Sequence, residues 1–153
     1  MIISQKELVV KKKGDEVMNE LKKNRHSVYS LNYHLVVVTK YRYKCINQEI
    51  MDEIQSILKR LIDESGGSLT EFNGEADHVH LLFEIPPHVS PAKMVNVIKG
   101  VSSRLIRKKF GEYLKKYYWK PVFWSNSYCV ITTGGASIEI VKKYIESQAG
   151  VKD

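Results

Sequence analysis

Apolar positions along this chain follow two rhythms, and their succession predicts the order of elements. Residues 27–44 (SVYSLNYHLVVVTKYRYK) are rich in valine, tyrosine and leucine, which predicts a long strand. Residues 48–65 carry Ile50, Met51, Ile54, Ile57, Leu58, Leu61 and Ile62 at helical spacing, and Gly66-Gly67 stops that helix. Residues 68–74 and 78–85 read as two strands joined by a turn around Glu75-Ala76-Asp77, with Pro86-Pro87 closing the second. Ser90 then caps a helix with Pro91 in its first turn, which runs to about Phe110 with Met94, Val97, Ile98, Val101, Leu105 and Ile106 inward. After a Lys/Tyr-rich connector, residues 122–133 predict a strand, Gly134-Gly135 a break, and residues 137–149 an amphipathic helix.

The order β-α-β-β-α-β-α has too few helices for a doubly wound parallel sheet. It fits an α+β class: a ferredoxin-like (RRM-like) antiparallel sheet with two helices on one face and an additional C-terminal helix. A length of 153 residues suits one domain with a substantial core. Residues 1–26 are charged, offer little to a core and read as an N-terminal extension, leaving 27–153 as the domain. Lys13-Gly14-Asp15-Glu16 can be encoded by a purine-rich stretch resembling a ribosome-binding site, so translation is expected to start naturally at Met18. A genuine basic arm carrying Lys11-Lys12-Lys13 is the competing reading.

Composition narrows the function classes. There is no apolar run long enough to span a bilayer and no signal-peptide pattern, so a cytoplasmic location is expected, nucleoid-associated when acting. Cys45 and Cys129 form no CxxC pair, which indicates neither a disulfide framework nor a zinc cluster. Lys and Arg number 24 against 17 acidic residues, and the net charge of +7 points to a polyanion partner. Lys40-Tyr41-Arg42-Tyr43-Lys44 and Lys115-Lys116-Tyr117-Tyr118-Trp119-Lys120 interleave cations with rings. Cations attract phosphates, while aromatic faces stack on unpaired bases.

Asp77-His78-Val79-His80-Leu81-Leu82 is the most informative stretch for chemistry. On a strand His78 and His80 project from one side, and two adjacent imidazoles can hold one divalent metal. Alone, such a pair more often serves packing or hydrogen bonding. On the last helix, Ser137, Val141, Tyr144 and Gln148 share a face, with Lys142 and Lys143 just before the tyrosine. Taken singly, Tyr144 reads as packing and Gln148 as solvated.

Together these residues resemble a known family. His78-Val79-His80 with one downstream helical tyrosine is similar to the HUH endonucleases, specifically the single-tyrosine transposases of the TnpA type. The likeness extends over Asn32-Tyr33-His34-Leu35-Val36, Thr39-Lys40-Tyr41-Arg42, Trp124-Ser125-x-Ser127-Tyr128, Thr133-Gly134-Gly135 and Tyr144-x-x-x-Gln148. The resemblance implies a transposase that cleaves and rejoins single-stranded transposon ends, recognised through subterminal hairpins. It implies Tyr144 as the nucleophile of a 5′-phosphotyrosine intermediate. His78, His80 and Gln148 would be the ligands of Mg²⁺ or Mn²⁺, and the C-terminal helix the catalytic one. The cation and the nearby lysines should favour the phenolate of a group whose ordinary pKa is near 10. A homodimer with active sites shared between subunits is implied too, with Gly134-Gly135 as hinge or as an ordinary turn.

Lys40, Arg42, Lys93, Lys99, Arg104, Arg107 and Lys108 are the candidate DNA contacts. His34 faces in or out depending on register, Glu84 shares the face of His80, and His26 and His88 are incidental. Two other readings stay open: a replication initiator or relaxase with the same core, and a non-catalytic ferredoxin-like nucleic-acid-binding module.

Overall fold

The computed structural model describes residues 22–23, 28–29, 31–132 and 138–148. Expectations on residues 1–21, including the Met18 start, and on the Gly134-Gly135 break lie outside them.

A small antiparallel pair, β1 (Lys22–Lys23) and β2 (Val28–Tyr29), precedes the main sheet. Then come β3 (Asn32–Thr39), α1 (Gln48–Glu64), β4 (Ser68–Glu75), β5 (His78–Glu84), α2 (Pro91–Lys109), a short α3 (Gly111–Leu114), β6 (Trp124–Thr132) and α4 (Ile138–Ser147). The main sheet runs β4-β5-β3-β6, with every neighbouring pair antiparallel. Placing the first and third of its strands side by side at the centre is the ferredoxin-like arrangement expected from the order of elements.

Alternation along the strands decides what each face does. Leu35 and Val37 of β3 lie beside Val79, Leu81 and Phe83 of β5, all at most 1% exposed. α1 covers them with Ile50, Ile54, Leu58 and Ile62, and α2 with Val95, Ile98 and Ile106. Asn47 accepts a hydrogen bond from the Ile50 amide at 2.9 Å and starts α1. Ser90 accepts from the Lys93 amide at 3.3 Å, with Pro91 in the first turn of α2 as expected. Gly66 ends α1 at φ +89°, and a Cβ on Gly67 would collide with the Glu84 carbonyl oxygen, so this corner needs both glycines.

The first strand is shorter than its composition predicts. Thr39 donates its amide to the Asp77 carbonyl at 2.9 Å and Lys40 donates to the Phe123 carbonyl at 2.8 Å. A 3₁₀ turn at Lys40–Arg42 follows, with Tyr41 and Arg42 at φ +59° and +58°. Tertiary hydrogen bonds thus override the β propensity of the aromatic run. Tyr118 locks that corner from the connector by donating its hydroxyl to the Lys40 carbonyl at 2.7 Å. Among the described residues no helix is long and apolar enough to cross a membrane.

Candidate active site

Strand β5 supplies the centre of the site. Since Val79, Leu81 and Phe83 are drawn into the core, His78 and His80 must emerge together on the opposite face. Register puts Val38 across from His78 and Val36 across from His80 on β3. On β4, Glu75 stands opposite His78 and Asn73 opposite His80.

The two histidines have different partners. His80 is half-buried, its Nε2 3.0 Å from Nδ1 of His34, with the rings stacked at 5.2 Å. The register therefore turns His34 onto the same face, resolving the ambiguity left by the sequence. Burial holds the His80 pKa below its ordinary value; His34 and His78 push it the same way, and Glu71 opposes them. A neutral ring is the form that ligates metals. His78, 8% exposed, places Nδ1 2.9 Å from Oδ1 of Asp77, so Nε2 is the ring nitrogen that a metal could take. Oδ2 of Asp77 accepts from Nε of Arg42 at 2.9 Å.

Carboxylates complete this corner. Glu75, Asp77 and His78 present ligand atoms all within 4.8 Å of one another. Sequence reasoning placed Glu75 only in a turn and quoted Asp77 in the histidine motif without assigning it a role. The signal was available: acidic residues just before the histidine strand, one of them immediately preceding His78. The His78 imidazole with the Glu75 carboxylate, and a second neutral imidazole on the same strand face, is a donor set that fits a divalent cation.

Helix α4 lies on this same face. Tyr144 and Ile145, with Cys129 and Ile131, pack against Val36 and Val38, so the tyrosine meets the very valines that stand across from the histidines. The Tyr144 hydroxyl donates to Oγ of Ser127 at 3.5 Å, and Ser127 donates to Oε1 of Gln148 at 3.2 Å. Arg42 donates from Nη1 to the Ile145 carbonyl oxygen at 2.6 Å. His78, His80, Tyr144 and Gln148, spread over 71 positions of sequence, thus share one surface. Ser127 is the residue that sequence reasoning missed as the link between the last two, although it stood in a quoted motif.

Glu84 lies on the histidine face as expected and is 7% exposed, with Asn32 donating to it at 3.4 Å. The candidate DNA contacts divide. Lys93, Arg104 and Lys108 are exposed on α2, on the side of the sheet away from the histidines. Arg107 donates to Ser103 at 3.2 Å and lines a cavity of about 190 Å³ with Lys115, Tyr118 and Lys120. Lys99 reaches from α2 to the Asn126 carbonyl at 3.1 Å and lies 5.3 Å from the Tyr128 ring. Lys40 and Arg42 depart from the expectation of free cations. Lys40 is 6% exposed, and the Arg42 side chain, 13% exposed, is committed to Asp77 and Ile145. Trp119, by contrast, is 90% exposed.

The fold and site together define an α+β protein with paired histidines and a tyrosine helix on one sheet face. Comparison with known proteins agrees. The family model described as "Transposase IS200 like" matches residues 27–148. The ISDra2 transposase TnpA of Deinococcus radiodurans is 34% identical over 129 residues, 84% of this chain and 91% of that protein. The transposase for insertion sequence element IS200 of Salmonella typhimurium is 34% identical over 131 residues, 86% of this chain and 85% of that one. A crystal structure of a Deinococcus radiodurans protein assigned to the transposases superposes with a TM-score of 0.75 at 35% identity, covering 83% of this chain and 97% of that one. A REP-associated tyrosine transposase bound to a REP hairpin shares the fold, with a TM-score of 0.52 at 8% identity over 82% of this chain and 68% of that one. The chain belongs to the IS200-like transposase family, of the single-tyrosine TnpA type.

Proposed function

We propose that this transposase cleaves and rejoins single-stranded transposon ends through a covalent link to Tyr144. The observation that carries the reading is the joint placement of Tyr144 and the histidine pair on one sheet face, with Val36 and Val38 between them. In the forward step the Tyr144 oxygen forms a bond to the scissile phosphorus as the bond from phosphorus to the 3′-oxygen breaks. The phenol proton is lost and the departing 3′-oxygen gains one, leaving a 5′-phosphotyrosine and a free 3′-hydroxyl. The phosphodiester energy is kept in that link, so a 3′-hydroxyl attacking it rejoins strands without ATP.

His78, His80 and the Glu75 carboxylate would hold a divalent cation, Mg²⁺ or Mn²⁺, with Gln148 as a further ligand on displacement from Ser127. When bound, the cation supplies charge neutralisation at the scissile phosphate. Asp77 holds His78 in one tautomer, and Ser127 orients both the Tyr144 hydroxyl and the Gln148 amide. DNA hairpins near the ends are the proposed recognition element, with Lys93, Lys99, Arg104, Arg107 and Lys108 as phosphate contacts on the far side of the sheet. A substrate held there must reach around the sheet edge to the tyrosine, which suits a hairpin with a single-stranded flank. The family match favours this reading over a replication initiator, a relaxase or a non-catalytic module.

The test mixes the protein with labelled single-stranded end DNA and Mg²⁺, then denatures. Tyr144→Phe is expected to abolish the protein–DNA adduct while hairpin binding is retained, because only the nucleophilic oxygen is removed. An adduct surviving in the variant would assign attack to another residue, and efficient cutting of blunt duplex would contradict the single-strand mechanism.

Two transposon ends and one nucleophilic tyrosine per chain call for two subunits, so the working unit is proposed to be a homodimer. In the single chain α4 docks on its own sheet; in the dimer we place the partner's α4 on that same surface. Mixed dimers of Tyr144→Phe with His80→Ala decide between the two. A shared arrangement concentrates both defects in one site and restores cleavage at the other, whereas sites built within one chain leave the heterodimer inactive.

A further inference from the structure

The contacts of Arg42 carry a consequence for how the tyrosine helix is held. One end of its guanidinium, Nε, bonds Asp77 Oδ2 at 2.9 Å, and the other, Nη1, bonds the Ile145 carbonyl at 2.6 Å. The second oxygen of Asp77 is 2.9 Å from His78 Nδ1. An unbroken run of charged hydrogen bonds therefore connects the backbone beside Tyr144 to an imidazole of the histidine pair. We propose that Arg42 is a positioning residue: a clamp that docks the tyrosine helix and registers Tyr144 against His78, deepening the transposase reading above and resting on it.

Three features support a clamp over an incidental ion pair. Ile145 lies in the last turn of α4, where carbonyls lack partners within the helix. A guanidinium there satisfies one of them and meets the negative end of the helix dipole. The pair is also withdrawn from solvent, with side-chain exposures of 13% and 14%. Burying such a pair is weak as a source of stability, which favours a role in orientation.

The backbone is the third feature. Tyr41 and Arg42 both occupy the left-handed region, at φ +59° and +58°, although neither is glycine. Residues with a Cβ stay there only where surrounding contacts enforce it. Tyr118 bonds the Lys40 carbonyl at 2.7 Å and Thr39 Oγ1 bonds the Tyr43 carbonyl at 2.7 Å, pinning the turn on both sides. The strained turn brings the Arg42 side chain back across the end of β3 to Asp77.

The chemistry also selects arginine. Its planar fork offers N–H groups on separate atoms to two acceptors at once, whereas an ammonium is a point donor on a single nitrogen. Lysine at this position would lose one of the two contacts. The clamp serves whichever copy's α4 occupies the surface, so it is independent of how the dimer shares its sites.

The experiment uses the full chain with Arg42→Lys and Arg42→Ala. The rate of adduct formation on single-stranded end DNA at saturating Mg²⁺ and DNA affinity without metal are both measured. Backbone amide exchange across residues 138–148 is followed in parallel. Both variants are expected to lower the adduct rate by about 10–100-fold, the usual cost of losing a group that orients a ligand. DNA affinity should hold, and exchange across α4 should quicken. A lysine variant with the wild-type rate and wild-type exchange would overturn the clamp. So would an affinity that falls in step with the rate, since Arg42 would then be a DNA contact. If the wild-type chain forms no adduct at all, the functional reading fails separately, and the exchange data still decide the clamp: quickened exchange supports it and unchanged exchange refutes it.

Discussion

On one face of the main sheet, Leu35, Val37, Val79, Leu81 and Phe83 are sealed beneath α1 and α2; on the other, His34, His78 and His80 stand beside Val36 and Val38, the valines that α4 packs against. Both faces are written by the same strands, one residue out of phase. The first is dry and close-packed, so an ionisable group there would lose hydration with nothing to replace it. The second admits polar groups because they hold one another: His34 with His80, Asp77 with His78, and Arg42 with Asp77. Burial still acts on this face, lowering the His80 pKa, but there it favours the neutral ring that the proposed metal ligation would use. The contrast teaches that stability and activity can be assigned to opposite parities of a single strand, and it can be broken by experiment.

The largest expected effect is on activity at the histidine face. His80→Ala should drive cleavage below roughly one hundredth of wild type, with folding stability altered by no more than about 1 kcal/mol. Gln148→Ala should be milder, because water would replace the neutral ligand proposed there. Single-turnover cleavage alongside urea denaturation measures both. A large loss of stability in His80→Ala would mean that the two faces are not separable.

One position along β5 after Leu82, the prediction inverts. Phe83 is fully buried beneath the helices. Phe83→Ala should cost about 3–5 kcal/mol of folding free energy through lost burial and a cavity. Any residual folded protein should retain a Tyr144-dependent adduct. Equilibrium denaturation fitted beside the adduct assay checks this, and a variant that is stable but inactive would contradict the division of labour.

A smaller effect probes how the dry side treats polar atoms. Buried Ser102 on α2 accepts the Trp124 indole N–H at 2.9 Å and donates to the Ile98 carbonyl at 2.5 Å. Ser102→Ala leaves that indole donor without its acceptor, so a loss of about 1–3 kcal/mol is expected, with cleavage intact in the folded fraction. A neutral outcome would show that the core relaxes around an unpaired donor more easily than its packing suggests.

Much was legible from periodicity and punctuation. The β-α-β-β-α-β-α order, the helix start at Gln48, the Ser90 cap and the Gly66-Gly67 stop rest on contacts within a few residues, so local sequence determined them. The common direction of His78 and His80 was likewise settled by strand alternation once Val79, Leu81 and Phe83 demanded burial. The ordered motifs, from Asn32 to Gln148, were specific enough to indicate the family that the comparisons show.

What the sequence could not decide were facts about pairs distant in the chain. His34 faces His80 because β3 and β5 align Val36 with His80, and a one-residue slip would have reversed every side chain. Arg42 looked like a free cation in a basic-aromatic run; only the left-handed turn at its own backbone and the positions of Asp77 and Ile145 made it an internal one. Ser127 joins Tyr144 to Gln148 only because α4 settles over β6. Local propensity reports what each segment prefers by itself. Register, burial and the meeting of side chains from separate segments are set by the free energy of the whole packed chain, and that is why the histidine strand was readable in advance and its surroundings were not.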